Sequence, residues 1–160
     1  MLTTYKIEIK WALIFVVATL TWMTLEMLTG LHDTQIDKHA TYTMLFAIPA
    51  IAIYVIALRD KRENHYGGVM TYKQGFISGL IITLIVTVLS PVTQFITSTV
   101  ITPDYFVNVI EYAVEQGELT REAAESYFNL RSYIIQGLIG VPVMGILTTA
   151  IVAFFVKKGR

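Results

Sequence analysis

Residues 76–101 read FISGLIITLIVTVLSPVTQFITSTVI, a stretch of 26 positions without a single charged side chain. At about 1.5 Å per residue, a helix of this length crosses the hydrocarbon core of a bilayer, which is about 30 Å thick. Residues 11–31, 42–58 and 133–156 have the same apolar character. The sequence therefore predicts an all-α membrane protein with four transmembrane helices, of which the second is the shortest.

The composition agrees with this fold class. The hydrophobic fraction is 54% and the mean hydropathy is +0.59, above the range of soluble domains. Four helices that are apolar all round leave no polar face for water, so we expect the lipid bilayer to surround them. The first stretch is longer than the 7–15-residue core of a cleaved leader, and we expect it to be retained. We expect residues 1–160 to form a single domain.

Other classes of protein are excluded by composition and charge. The chain has no cysteine, so it forms neither disulfides nor thiolate metal sites. Its formal net charge is zero, and its basic residues lie near helix ends rather than along a groove. This distribution argues against nucleic acid as a partner.

Charge alternates between successive loops and predicts the orientation. Nine of the twelve basic residues occupy the amino terminus, the loop after the second helix and the carboxyl tail: Lys6, Lys10, Arg59, Lys61, Arg62, Lys73, Lys157, Lys158 and Arg160. The other two loops hold the remaining three basic residues and eight acids: Asp33, Asp37, Asp104, Glu111, Glu115, Glu118, Glu122 and Glu125. Because basic loops stay in the cytoplasm, we expect both termini there and the acidic loops outside.

A substantial insertion, residues 102–132, separates the last two spans. We expect a short amphipathic helical hairpin over residues 103–131 on the outer side, beginning at Thr102 and Pro103. Gly117 is placed to end its first helix, and Thr120 to begin its second. Two interpretations stay open, a lid on the outer end of the bundle and a docking face for a partner.

A stripe of small and hydroxyl residues follows one face of the third span. Spacings of three and four residues align its members along the helix, and its first two form a G-x-x-x-G step. The stripe comprises Gly75, Gly79, Thr83, Thr87 and Ser90. We expect a helix-packing seam here, with a hydrophilic path as the alternative.

Glu26 is an ionisable residue inside a predicted span, where such groups are expensive and often functional. Gln94 and Gln136 lie at a similar depth below the outer ends of their own helices. These three side chains are therefore candidates for one polar layer in the outer half of the bundle. The layer would serve either structural hydrogen bonding or the binding of a ligand or proton.

The first outer loop contains two imidazoles and two carboxylates, at His32, Asp33, Asp37 and His39. Such groups are ligands for zinc or manganese. Their spacing matches no known ligand signature, and solvated loop residues are the alternative. We expect no metal ion and no other cofactor.

Two motifs resemble a known family, the run from Thr71 to Gly79 (TYKQGFISG) and the segment from Ile101 to Phe106 (ITPDYF), together with the basic tail. The chain resembles the small four-helix membrane proteins catalogued as domain of unknown function 4199, over nearly its whole length. The resemblance implies a multi-pass bacterial membrane protein, and we expect it in the inner (cytoplasmic) membrane. It supplies no activity, so no catalytic residue is carried over.

The sequence motifs favour a protein that is not an enzyme. No nucleophile–base pair, strong metal motif or nucleotide loop is present. We expect a structural or accessory subunit of a membrane complex, acting as a homo-oligomer or with a membrane protein partner. The alternative is a small transporter or a lipid- or proton-handling protein that uses Glu26, Gln94 and Gln136. A membrane-embedded enzyme built on Glu26 or the histidine loop is a third interpretation.

Overall fold

The computed structural model describes residues 5–159, so the two ends of the expected domain, including Arg160, lie outside the described residues. Four helical segments are long and apolar enough to cross a membrane: Lys6–Leu28, Ile36–Asn64, Tyr72–Ile101 and Leu130–Val156. The prediction of an all-α fold with four such helices is confirmed. Together these segments indicate a multi-pass membrane protein.

Seven α-helices make up the described chain: α1 (Lys6–Leu28), α2 (Ile36–Tyr42), α3 (Ala47–Asn64), α4 (Tyr72–Ile96), α5 (Tyr105–Glu115), α6 (Arg121–Tyr127) and α7 (Leu130–Val156). A 3-10 turn (Thr43–Phe46) joins α2 to α3, and a π-helical turn (Thr97–Ile101) extends α4. The second span is thus a continuous helical segment and is longer than the sequence indicates. The helices α1 and α3 also extend beyond the predicted apolar stretches and include neighbouring charged residues.

The ends of the helices follow from their capping residues. Thr71 and Gln74 form a reciprocal capping box that begins α4, and Thr120 begins α6 by accepting a hydrogen bond from Ala123 N–H, as expected. The expected start at Thr102 is wrong, because the Thr102 N–H and hydroxyl both donate to Thr97 O and thereby end the π-helical turn. The helix α5 begins instead at Tyr105.

The bundle is centred on α4 and α7, which pack against each other more extensively than any other pair of helices. Two reciprocal contacts bring them together: Gly79 of α4 faces Thr149 of α7, and Gly145 of α7 faces Thr83 of α4. The buried core around them consists of Ala12, Tyr54, Ala57, Leu58, Met70, Ile82, Val86, Val152, Ala153 and Val156. Small residues at the crossing let the two backbones approach closely.

The two ends of the bundle differ. The helices α2, α5 and α6 gather at one end, which we call the hairpin end. The other end carries both termini of the described chain, and we call it the terminal end. There, the backbones of Met70 and Lys158 bond to each other in both directions, at 3.0 and 2.9 Å. This contact ties the loop before α4 to the residues that follow α7.

Candidate polar site at the hairpin end

A tight reversal after α1 carries His32 back over Glu26. Gly30 makes this turn with a left-handed φ of +79°, and a Cβ there would lie 2.5 Å from the Thr34 hydroxyl oxygen. Leu31 N–H donates to the Glu26 carbonyl at 3.0 Å. Only glycine adopts this backbone readily, so the turn depends on residue 30.

The Glu26 carboxylate lies at the centre of a buried cluster. Its Oε2 is 3.1 Å from His32 Nε2 and 3.4 Å from His39 Nε2. Its other oxygen, Oε1, accepts a hydrogen bond from Trp22 Nε1 at 2.5 Å. The side chains of Glu26, His32 and His39 are 3%, 7% and 19% exposed. The carboxylate is therefore enclosed by the protein.

The hairpin closes this cluster from the opposite side. Tyr105 of α5 places its hydroxyl 3.3 Å from His39 Nδ1 and 3.3 Å from the Tyr133 hydroxyl. Asn108 donates to the backbone carbonyl of His32 at 2.9 Å. The rings of His32, His39 and Tyr105 meet edge to face, with centroids 5.0–5.2 Å apart. The cluster thus joins α1, its following loop, α2, α5 and α7.

The surroundings of Tyr105 keep its hydroxyl neutral. Burial is the main cause that raises its pKa, and the neighbouring Tyr133 adds to this effect. A neutral phenol can both donate and accept a hydrogen bond, so Tyr105 suits either tautomer of the His39 ring.

Three ligand atoms of the kinds that metals prefer meet in this cluster. The carboxylate of Glu26 and one ring nitrogen each from His32 and His39 lie within 4.8 Å of one another. The same atoms could share protons between two imidazoles and a carboxylate. The remaining nitrogen of His32, Nδ1, is buried without a hydrogen-bond partner among residues 5–159.

The structure combines some of the candidate site residues and separates others. Glu26 comes together with His32 and His39, which the sequence placed in a separate set of candidates. Asp33 accepts a hydrogen bond from the neighbouring Thr34 N–H, and Asp37 is exposed on α2. Three residues from two candidate sets therefore form one cluster, and the loop carboxylates lie apart.

The two glutamines occupy other environments. Gln94 donates to the Ser98 hydroxyl at 2.9 Å. Gln136 is exposed and lines a largely apolar groove between α6 and α7, together with Leu119, Ala123, Ser126, Tyr127, Phe128, Ser132 and Ile135. Each amide thus has surroundings of its own, distinct from the partners of Glu26.

The stripe on α4 faces α7 over its first half. Gly75 lies close to Met70 and Ala153, and Gly79 lies against Thr149. The Thr83 hydroxyl is 2.7 Å from the Tyr54 hydroxyl. Thr87 and Ser90 are half-buried, and their hydroxyls donate to backbone carbonyls one turn earlier in α4.

A second buried polar cluster lies at the terminal end, and it was not predicted from the sequence. Glu8 Oε1 lies 2.9 Å from Lys61 Nζ and accepts a hydrogen bond from the Ser78 hydroxyl at 2.6 Å. All three residues are at most 3% exposed. The helical positions of Glu8 and Lys61, at the charged ends of α1 and α3, are the signal that could have indicated this pairing.

The comparisons with known proteins identify a family without an assigned activity. Residues 10–158 match the family described as protein of unknown function (DUF4199). Neither the curated proteins nor the solved structures contain a match to the chain.

Proposed function

The chain belongs to the DUF4199 family of unknown function, and we propose that this multi-pass membrane protein is a non-enzymatic accessory subunit of a membrane complex. It presents its hairpin end, outside the cytoplasm, to a membrane protein partner. The observation that carries this proposal is the largely apolar groove between α6 and α7, which adjoins a segment rich in exposed glutamates.

The composition of the groove is typical of a protein interface. Its floor contains Leu119, Tyr127, Phe128 and Ile135, and its volume is about 680 Å³. Glu118, Glu122 and Glu125 lie in or next to the same short segment and are exposed. An apolar centre with a polar rim is typical of docking surfaces, and aromatic residues are enriched there.

The charge of this end favours a basic partner. All eight acidic residues of the two loops at the hairpin end are exposed, and among residues 5–159 none of them forms an ion pair. A cationic amphipathic segment would place apolar side chains in the groove and basic ones against the adjoining glutamates. Such complementarity steers association and selects the partner.

The buried cluster supports this role because it fixes the hairpin on the bundle. The contacts of Tyr105 and Asn108 with the histidine loop hold α5 against α1 and α2. A surface that is ordered before binding loses less conformational entropy when a partner docks. The cluster therefore contributes to docking without touching the partner.

Charge reversal at the glutamates beside the groove tests the proposal. When membranes are treated with a chemical crosslinker, we expect the natural chain to form an adduct with its partner protein. The double variant Glu118→Lys with Glu122→Lys should lose this adduct. The matched control, Glu111→Lys with Glu115→Lys, makes the same charge change on α5, at residues that line a different groove, and retains the adduct. Equal behaviour of the two variants, or a chain that remains uncrosslinked, contradicts the proposal. An adduct of two identical chains assigns the groove to a second copy instead.

The proposed orientation has its own test. Because the chain has no cysteine, single cysteines can be introduced without background. We expect Ser126→Cys, on α6, to react with a membrane-impermeant maleimide added to intact cells, and His65→Cys, at the terminal end, to react only after permeabilisation. The reverse pattern would place the hairpin end in the cytoplasm.

A second candidate function, a small proton-handling protein, is favoured by the placement of two imidazoles on one buried carboxylate oxygen. Reconstitution into vesicles with an internal pH dye tests it. Proton uptake that is abolished by Glu26→Gln supports this function, and uptake equal to that of empty vesicles removes it.

A further inference from the structure

We propose that Glu26, His32 and His39 form a zinc site at the hairpin end. Each supplies one ligand atom: Oε2 from the carboxylate and Nε2 from each imidazole. This inference is independent of the accessory role, since a zinc ion could hold the hairpin end together with or without a partner. It also gives the cluster a ligand that the sequence alone did not lead us to expect.

The distances suit a tetrahedral ion. Two bonds of about 2.0–2.1 Å at the tetrahedral angle separate their ligand atoms by about 3.3–3.4 Å. Glu26 Oε2 lies 3.1 Å from His32 Nε2 and 3.4 Å from His39 Nε2. One nitrogen of each imidazole also lies within 4.8 Å of the other, so a movement of the side chains would bring all three ligand atoms to bonding distance of one ion.

The surroundings orient two of the three ligands. Trp22 occupies Oε1 of Glu26, which leaves Oε2 directed at the imidazoles. Tyr105 meets Nδ1 of His39, so the opposite nitrogen, Nε2, faces the carboxylate. Contacts of this kind fix the ring orientation of metal-binding histidines and raise their basicity. Tyr105 and Trp22 are thus positioning residues of the proposed site.

The donor set selects zinc over the common hard cations. Imidazole nitrogens bind zinc well, whereas magnesium and calcium prefer an all-oxygen shell. Two imidazoles and one carboxylate form a complete set of three protein ligands, with a fourth position for water or another group. The enclosure of Glu26 and His32 keeps bulk water from competing for the ion.

Metal titration of the purified full chain tests this site. The protein is prepared in mild detergent with a tag that contains no histidine, and residual metal is removed with a chelator. We expect one zinc ion per chain, with a dissociation constant below about 1 µM. Cobalt(II) used as a spectroscopic probe should give the visible absorption of a tetrahedral complex, and zinc should displace it.

The three histidines of the chain provide a matched set of variants. His32→Gln and His39→Gln each remove a proposed ligand and should weaken zinc binding by more than about 100-fold, beyond the usual effect of an outer partner. Glu26→Gln, which keeps the shape of the side chain, should do the same. His65→Gln makes the same change at an exposed residue of the terminal end and should bind zinc as the natural chain does.

Specific results overturn the proposal. Absence of zinc and cobalt binding by the folded natural chain refutes it directly, whatever the variants do. Binding that survives in all three ligand variants moves the ion to the exposed carboxylates of the hairpin end. Circular dichroism and gel filtration establish that each variant is folded. For a variant that does not fold, Tyr105→Phe replaces it, with an expected weakening of about tenfold.

Discussion

Substitution of Gly79 by alanine probes the crossing of α4 and α7. The added Cβ would lie 2.4 Å from Thr149 Cγ2, 2.7 Å from its Oγ1 and 3.0 Å from its Cβ. Carbon atoms in normal contact are about 3.5–4.0 Å apart, so the two helices must separate or Thr149 must change its rotamer. Overpacking of this kind costs about 1–3 kcal/mol.

A control on α7 isolates the packing cost. Alanine also has a higher helix propensity than glycine, which offsets up to about 1 kcal/mol of the loss in Gly79→Ala. Gly140→Ala gains the same propensity, and nothing lies within 4 Å of its new Cβ. The free energies of unfolding of the two variants should therefore differ by about 1–3 kcal/mol, the overpacking cost alone.

A compensating variant completes the experiment. Thr149→Ala removes the two nearest obstructing atoms, including a hydroxyl that has no hydrogen-bond partner among residues 5–159. Combined with Gly79→Ala, it should recover most of the lost free energy of unfolding, measured by titration with SDS and circular dichroism. Equal stability of Gly79→Ala and Gly140→Ala, or no recovery in the double variant, refutes this account of the crossing.

Three further predictions concern other parts of the fold. Lys61→Met leaves the Glu8 carboxylate buried without its ion pair and should cost about 3–5 kcal/mol in SDS titration, most of it recovered by adding Glu8→Gln. Thr120→Ala removes the hydroxyl that begins α6 and should destabilise that helix by about 0.5–2 kcal/mol, seen as faster amide exchange confined to α6. Burial, followed by the charge of Glu8, raises the pKa of Tyr66, so its contribution to stability is present below pH about 10 and is lost as the pH rises further. Tyr66→Phe should accordingly lose less stability than the natural chain between neutral and strongly alkaline pH, in unfolding midpoints measured across that range.

The four spans were predictable because length and hydropathy alone determine whether a helix can cross a bilayer. Their ends were not, since charged residues were taken as markers of loops. Lys6, Glu8 and Lys10 are helical, and Glu8 is buried against Lys61 at the end of α3. Hydropathy does not reveal that two opposite charges, each costly alone, are buried as a pair.

The polar site at the hairpin end could be predicted only in part. Glu26 was identified from its position inside a span, and His32 and His39 from their side-chain chemistry. Their meeting depends on the reversal at Gly30 and on α2, where Asp37 and His39 are two residues apart and so lie on opposite sides of the helix. Depth along a helix, which linked Glu26 to Gln94 and Gln136, does not fix the direction in which a side chain points. Rotation of each helix about its own axis decides that, and packing sets the rotation.

The short hairpin helices were predicted from capping residues, and Thr120 acts as expected. The predicted helix start at Thr102 was wrong, because this residue has the chemistry of a good capping residue but does not cap a helix here. A π-helical turn continues α4 through Ile101, and Thr102 satisfies the carbonyl of Thr97. The continuation of a long helix therefore outweighs the local capping preference of Thr102.

The most direct measurement of the central claim, that Glu26 gathers two histidines into one zinc site, is the nitrogen NMR spectrum of the chain labelled with ¹⁵N-histidine. The chain has three histidines, so three imidazoles are observed. We predict that one equivalent of zinc shifts the Nε2 resonances of His32 and His39 to values typical of coordinated nitrogen and leaves His65 unchanged. Glu26→Gln should prevent both shifts. Three unchanged imidazoles, or three that shift alike, would contradict it.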